Sequence, residues 1–240
     1  MRALKGEVLL AAWESASSSG TSPRRAVALL AAACEGRTRD QLMELSVAER
    51  DLELLRLHQI SFGDLLRGSL PCEACGTRLE FEVSVQQMIS RLERLRPLRE
   101  MPVAAGRFTL VMRPVNSRDL SEAIAAVDPR RHLLALSSAV VGSDTLVEDA
   151  VAMCEDEIVE QFNRLNEGAE TRFTLPCPDC GVSGQVDLDI ARFVWMEVRH
   201  AALTILREVH ELASAYGWME RTILDMSAAR RASYLEMARA

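Results

Sequence analysis

The chain has 240 residues, of which 48% are hydrophobic and 26% are charged, and its formal net charge is −7. These values are typical of a globular protein with one or two domains. No apolar run reaches the roughly 18 to 20 residues needed to cross a bilayer. The acidic balance disfavours sequence-independent binding to nucleic acid, because such binding depends on Lys and Arg displacing counterions from phosphates.

The first ten residues lack the basic start, apolar stretch and cleavage site of a signal peptide. We therefore expect a cytoplasmic protein with no membrane partner. The first predicted region, residues 1–63, shows helical patterns over residues 7–16 and 23–34. We predict that Ser22 caps the second of these helices and that Gly36 ends it. Ser46 and Glu49 have the spacing of a capping box, and the leucine-rich helix that follows is predicted to end at Gly63.

A seven-residue phrase occurs twice in the chain, as Leu-Pro-Cys-Glu-Ala-Cys-Gly at 70–76 and as Leu-Pro-Cys-Pro-Asp-Cys-Gly at 175–181, with an offset of 105 positions. After each phrase the apolar residues alternate with period two, which is typical of a half-buried strand. The alternating residues are Phe81, Val83 and Val85 in the first copy and Val186, Leu188 and Ile190 in the second. We interpret residues 64–85 and 171–190 as the two halves of a split zinc ribbon, each a C-x-x-C hairpin.

The two halves together supply four thiols, which is the ligand number of a closed tetrahedral zinc site. The predicted metal ligands are Cys72, Cys75, Cys177 and Cys180, and the predicted cofactor is a structural zinc ion. A glycine after each second cysteine relieves the backbone where the turn bends back. The intervening residues 76–176 form an insertion, which is thermodynamically tolerable because the cost of loop closure grows slowly with length. Cys34 and Cys154 lie in apolar helical surroundings and are predicted to be buried hydrophobic residues.

Two other roles remain open for the C-x-x-C pairs. A redox dithiol of the thioredoxin type would lie at a helix N-terminus, where the thiol pKa is lowered, whereas these turns lead into strands. A catalytic zinc ion would keep one coordination position open, whereas four thiolates fill the shell. The four histidines, His58, His132, His200 and His210, lack metalloprotease spacing, and no nucleophile or phosphate-binding motif is present. The sequence predicts neither an enzyme nor a small-molecule substrate.

Residues 86–170 are predicted to be a helical insertion with a short β segment. Helices are expected over 86–95, closed by Pro97, and over 145–165, with the β segment at 106–112. Asn116 or Ser117 is predicted to cap a further helix, which carries Leu120, Ile124 and Val127. The helix at 145–165 is acidic on one side, through Glu148, Asp149, Glu155, Asp156, Glu157 and Glu160. We interpret these residues as a solvated face, with a surface for a basic partner as the alternative.

Residues 191–240 are predicted to be a long helix and a helical cap. Asp189 caps a helix over 190–216, Gly217 ends it in a left-handed conformation, and short helices follow over 220–226 and 228–238. Three arginines in this cap leave helix-turn-helix DNA binding open as an alternative, which the acidic composition disfavours.

The C-terminal stretch carries a resemblance to a known family. It contains the turn Tyr-Gly-Trp at 216–218, the step Ile-Leu-Asp-Met-Ser at 223–227 and the run Arg-Arg-Ala-Ser-Tyr-Leu-Glu at 230–236. In these motifs the chain resembles the T-even phage family of baseplate hub assembly chaperones, whose relatives are encoded with phage tails and contractile injection systems. The resemblance extends upstream through residues 61–64, both cysteine pairs and residues 117–120. Met219 departs from the pattern, because a Ser or Thr cap is expected after the tryptophan.

The resemblance implies a non-enzymatic assembly factor or minor structural component for the hub and spike of a baseplate, with hub or spike proteins as partners. The resemblance also implies a location in the bacterial cytoplasm, with incorporation into a phage-tail-like particle as the open alternative. The residues predicted to face the partner are Tyr216, Trp218, Arg221, Arg230, Arg231 and Tyr234. The alternative function is a zinc-ribbon regulator that binds nucleic acid, and an oxidoreductase is a more distant third. The predicted fold class is α+β and mainly helical, a helical bundle with a small split zinc-ribbon module.

Overall fold

The computed structural model describes residues 1–95 and 99–239, and these residues form a mainly helical protein with small antiparallel sheets. This confirms the predicted α+β class. The predicted helix stop at Pro97 lies outside the described residues. No helix in the described part of the chain is both long enough and apolar enough to cross a membrane.

The described helices are, in chain order, α1 (Gly6–Ser17), α2 (Ser22–Ala33), α3 (Arg39–Met43), α4 (Val47–Phe62), α5 (Val85–Arg94), α6 (Ser117–Ala123), α7 (Pro129–Leu136), α8 (Val147–Leu165), α9 (Ile190–Tyr216), α10 (Glu220–Leu224) and α11 (Ala228–Arg239). The described strands are β1 (Leu65–Pro71), β2 (Arg78–Ser84), β3 (Met101–Ala105), β4 (Phe108–Met112), β5 (Ser138–Val141), β6 (Arg172–Pro176) and β7 (Ser183–Asp187).

The main hydrophobic core joins α1, α2, α4, α5 and α9. The long helix α9 places Val194, Val198 and Ala202 in this core, fully buried, which satisfies its predicted apolar stripe. The capping box of Ser46 and Glu49 is confirmed at the start of α4.

One predicted cap in this region is wrong. Thr21 rather than Ser22 occupies the N-cap of α2, and Ser22 and Pro23 belong to the first helical turn. Proline at this position is compatible with the helix because the first amide groups have no intrahelical partner in any case. The short helix α3 was not predicted, although Thr38 and Gln41 form a second capping box there.

A second core lies inside the insertion, where α7 and α8 pack on a three-stranded antiparallel sheet of order β3-β4-β5. The predicted β segment at 106–112 is β4 together with its preceding turn, in which Gly106 has φ of +52°. Helix α6 starts after the Asn116 cap but ends at Ala123, so Ile124 and Val127 lie outside its buried face. Both side chains are exposed because the chain turns away toward α7.

The two cysteine phrases each connect the strands of a hairpin, β1 with β2 and β6 with β7. The predicted strand alternation extends too far, and in the second copy Leu188 already lies beyond the end of β7 at Asp187. Val85 and Ile190 are the first residues of α5 and α9, where the side chains of Ser84 and Asp189 cap the helices. Each hairpin therefore leads directly into a helix of the main core.

The C-terminal helices α10 and α11 pack against the end of α9 around buried Leu212, Ile223 and Leu235. Gly217 ends α9 with φ of +66°, the left-handed conformation that was predicted. Met219 occupies the N-cap of α10 without a side-chain hydrogen bond. Helix α10 ends at Leu224, two residues earlier than predicted.

Candidate metal centre

The two C-x-x-C turns have the same backbone geometry. In the first, Gly76 N donates to Cys72 O at 2.8 Å, and Cys72 N donates to Thr77 O at 2.8 Å. In the second, Gly181 N donates to Cys177 O at 3.0 Å, and Cys177 N donates to Val182 O at 2.9 Å. Both glycines adopt positive φ, +77° and +72°, which favours glycine at these positions. The repeat in the sequence is thus a repeat in local structure.

The four cysteine sulfurs converge between the hairpins, with all four Sγ atoms within 4.8 Å of one another. The Sγ atoms of Cys72 and Cys180 are 3.8 Å apart, and those of Cys75 and Cys177 are 3.6 Å apart. A tetrahedral ion with metal–sulfur bonds of about 2.3 Å places its ligands about 3.8 Å from one another. A disulfide would bring two sulfurs to about 2.05 Å, so these distances suit a shared metal ion and exclude disulfides.

Contacts outside the thiols also join the two hairpins. Thr77 Oγ1 donates to Asp179 Oδ2 at 2.7 Å, which links one turn to the other. Phe81 and Phe173 meet edge to face with ring centroids 5.1 Å apart. The main chain of Gly68 is paired with Phe81, and a Cβ atom on Gly68 would lie 2.4 Å from the phenylalanine ring. The glycine therefore leaves space for the ring.

The protein environment changes the ionisation of two of the thiols. Hydrogen bonds with the side chain and backbone of Thr77 lower the pKa of the Cys75 thiol to about 6. A backbone hydrogen bond with Val182 favours ionised Cys180, but desolvation and the other three thiols outweigh it and raise the Cys180 pKa to about 12. Four adjacent sulfurs cannot all ionise without a compensating cation, and a bound metal supplies that charge.

The donor set fits a metal ion that prefers soft ligands. Thiolates favour zinc, copper(I) and iron–sulfur clusters over magnesium or calcium. Cys72 and Cys177 are buried, whereas Cys75 and Cys180 are at the surface, so an ion would be enclosed on one side and close to solvent on the other. Four protein ligands leave no coordination position for water or substrate.

The predicted partner-binding aromatic residues lie together at the end of α9. We call Tyr216, Trp218 and Tyr234 the aromatic cluster. Tyr216 stacks on Trp218 with centroids 4.5 Å apart, and Trp218 meets Tyr234 edge to face at 4.8 Å. Tyr216 is 37% exposed and the other two rings are half-buried, so the cluster reaches the surface.

The three predicted arginines have different positions. Arg221 and Arg230 are exposed, and the guanidinium of Arg230 lies 5.7 Å from the ring centroid of Tyr234. Arg231 is only 6% exposed. Its Nε donates to Glu208 Oε2 at 2.8 Å, and its Nη1 donates to Met226 O at 2.7 Å. The placement of Arg231 on a partner surface is therefore corrected, because the folded chain already satisfies this side chain.

The helix at 145–165 was predicted to expose its acidic side. In the structure, two of those carboxylates accept hydrogen bonds from other parts of the chain. Glu155 Oε2 accepts from Arg131 at 3.0 Å, and Glu157 Oε2 accepts from the backbone of Gly106 at 2.6 Å.

His58, one of the four histidines, is buried with its Nε2 3.2 Å from Glu197 Oε2.

One buried charged pair was not anticipated. Arg50 and Asp51 are each 4% exposed. Arg50 Nε donates to Asp51 Oδ1 at 2.8 Å, and Arg50 Nη2 forms an ion pair with the same oxygen at 2.7 Å. The sequence carried a signal for the burial of Asp51, since Asp51, Leu54, Leu55 and His58 follow the helical period and share the buried face of α4. We assigned that face to the leucines alone.

Comparison of the chain with family models, with curated proteins and with solved structures found no match.

Proposed function

We propose that the four cysteines bind one structural zinc ion that fastens the two hairpins to each other. The convergence of four sulfurs from turns about a hundred positions apart supports this proposal. Each hairpin continues into a helix of the main core, α5 or α9, and the insertion with the second core lies between them. A bound ion would therefore fix the insertion against the bundle. The four thiolates would enclose the zinc ion in a closed shell, and the free energy of zinc binding would add to the free energy of folding.

We further propose that the chain is a non-enzymatic assembly chaperone, or a minor structural component, for the hub and spike of a phage-tail-like contractile injection system. The C-terminal motifs at 216–218, 223–227 and 230–236 support this role through their resemblance to the baseplate hub assembly chaperones. It would act in the bacterial cytoplasm.

The proposed contact surface is the aromatic cluster with Arg221 and Arg230. Tyrosine, tryptophan and arginine are the residues most enriched at the energetic centres of protein interfaces. The cluster rests on buried Leu212, Ile223 and Leu235, which hold the rings in place before a partner arrives. Preorganised rings lose little conformational entropy on binding.

Co-purification tests this role. The tagged chain would be co-expressed with the hub and spike proteins of a contractile injection system, as wild type and as the double variant Trp218→Ala with Tyr234→Ala. Met237→Ala, an exposed change on the same helix as Tyr234, is the matched control. We expect the wild type and the control to recover a hub or spike protein and the double variant to lose it. Equal recovery by all three proteins would move the contact elsewhere, and no recovery by the wild type would refute the partner.

Salt dependence separates this proposal from the alternative of a nucleic-acid-binding regulator. A complex that depends on phosphate contacts weakens steeply as salt rises, because bound counterions must be displaced. An apolar protein contact keeps its affinity under the same conditions. Retention of nucleic acid at low salt, with loss at high salt, would favour the regulator.

A further inference from the structure

A groove with a volume of about 980 Å³ lies where α4, the end of α8 and the second hairpin meet. This volume is in the range of ligand sites in proteins. The groove contains none of the four cysteines and no member of the aromatic cluster. It is thus distinct from both sites of the proposed function.

The lining of the groove includes apolar and charged residues. We call four of the apolar residues the floor: Val47 and Val115, which are buried, and Phe162 and Leu188, which are half-buried. The charged lining comprises five carboxylates and three guanidinium groups, at Asp51, Glu167, Glu170, Asp187, Asp189, Arg50, Arg91 and Arg172. The lining therefore carries an excess of negative charge.

Two of the three guanidinium groups are already paired within the fold. Arg172 contacts Asp187 Oδ1 at 2.5 Å and Glu170 Oε2 at 3.4 Å. Arg50 forms an ion pair with Asp51 Oδ1, to which its Nε also donates a hydrogen bond. Arg91 is the third guanidinium group of the lining, and its side chain is exposed.

Two carboxylates in the groove each keep one oxygen available. Within the described residues, Asp51 Oδ2 accepts no hydrogen bond, and it is not among the buried polar atoms that lack both partner and solvent. Asp189 Oδ1 accepts from Arg192 N at 2.9 Å as the cap of α9, while its Oδ2 accepts no hydrogen bond from the described part of the chain. Both carboxylates line the groove. Burial raises the pKa of Asp51, the Arg50 guanidinium opposes this rise, and the charge of Asp189 adds a smaller increase.

We propose that this groove binds a segment of a partner polypeptide, with a lysine or arginine side chain placed between Asp51 and Asp189 and an adjacent apolar side chain on the floor. A cationic group would satisfy both free carboxylate oxygens and relieve the repulsion between the two acids. The apolar floor adds affinity by removing hydrocarbon surface from water. The chemistry of the occupant thus follows from the charge and shape of the groove.

The probe is the capped dipeptide acetyl-leucyl-arginine amide, titrated into the isotope-labelled full chain and followed by NMR. The same peptide with citrulline in place of arginine is the neutral control of equal shape, and acetyl-leucyl-glutamate amide tests for an anion site. We expect the arginine peptide to shift the amide signals of residues around the groove and to bind about tenfold more tightly than the citrulline peptide, the scale of one hydrogen bond to a charged group.

Asp189→Asn is the decisive variant, because asparagine caps a helix as well as aspartate while lacking the charge. It should weaken arginine-peptide binding about tenfold, and Glu236→Gln on the exposed side of α11 should leave it unchanged. Asp51→Asn should weaken binding similarly, with a melting curve to check its fold. The proposal is overturned by equal binding of the citrulline peptide, by unchanged binding to Asp189→Asn, by preferential binding of the glutamate peptide or by the absence of any shift near the groove.

Discussion

Cys72 and Cys180 are separated by 108 positions in the chain, yet their Sγ atoms lie 3.8 Å apart. The second close pair, Cys75 and Cys177, also crosses from one hairpin to the other. In each of these two pairs, one sulfur comes from the first hairpin and the other from the second. An ion bound at this centre would hold the two hairpins together rather than stabilise either one alone.

Removing a ligand should separate the hairpins. We expect Cys177→Ser to lose the bound metal and to unfold at a lower temperature than the wild type. If free zinc exceeds the dissociation constant roughly a thousandfold, the wild type gains about 4 kcal/mol from binding, and the variant loses this gain. Metal content and thermal unfolding with and without a chelator measure both effects. Cys34→Ala is the control and should keep its metal, and an equal loss of metal in the control would contradict the assignment of ligands.

Replacing Gly68 by alanine should destabilise the fold, although alanine adds only one methyl group. A Cβ atom at this position would lie 2.4 Å from the ring of Phe81, whereas a Cβ atom on Gly184 in the other hairpin meets nothing within 4 Å. We expect Gly68→Ala to lower the free energy of unfolding by about 1 to 3 kcal/mol, the usual cost of overpacking. Gly184→Ala should have little effect. Urea unfolding of both variants tests the comparison, and equal stability would mean that the Phe81 ring moves at no cost.

The buried Asp51 should give the stability an unusual pH dependence. Burial raises the pKa of its carboxyl from 3.8 to about 6, against the opposing effect of Arg50. The folded state therefore holds a proton that the unfolded state releases, so this contribution to stability is complete below about pH 4 and is lost as the pH rises through about 6. The loss amounts to about 3 kcal/mol.

Urea unfolding of the wild type and of Asp51→Asn across pH 4 to 7 measures this contribution. The free energy of unfolding of the wild type, minus that of the variant, should fall as the pH rises. A difference that stays constant would show that Asp51 has an ordinary pKa. Comparing the two proteins at each pH cancels the contributions of the other carboxylates.

Alanine substitutions of the neighbours Arg230 and Arg231 should have very different effects on stability. Arg231 is buried and bonded to Glu208 and Met226, so Arg231→Ala should destabilise the C-terminal helices by about 1 to 3 kcal/mol. Arg230 is exposed beside Tyr234, and Arg230→Ala should cost about 0.5 kcal/mol. Hydrogen exchange of the amides in 228–239 reports local opening. Equal exchange rates in the two variants would contradict the structural role of Arg231.

The parts of the fold that were predictable from the sequence have local causes. The Ser46 capping box, the Asp189 cap and the Gly217 stop each depend on groups within a few positions. The cysteine centre could be inferred across a long separation only because the phrase is repeated. Its actual convergence depends on the packing of the two hairpins, which no local pattern specifies.

The features that escaped prediction depend on distant contacts. Strands β3 and β5 are short, and they are stabilised by pairing with β4 rather than by a strong pattern of their own. The sequence pattern indicates a surface position for Arg231, but the packing of α11 on α9 buries its side chain beside Glu208. The buried Arg50 contacts Ser117, 67 positions away, and no local pattern specifies this contact.

X-ray absorption at the zinc edge, together with the zinc content of the purified chain, tests the shared metal centre most directly. We expect about one zinc ion per chain with four sulfur ligands at about 2.3 Å. A shell containing nitrogen or oxygen ligands, two ions per chain, or a metal-free chain with its thiols intact would contradict a single ion shared by Cys72, Cys75, Cys177 and Cys180.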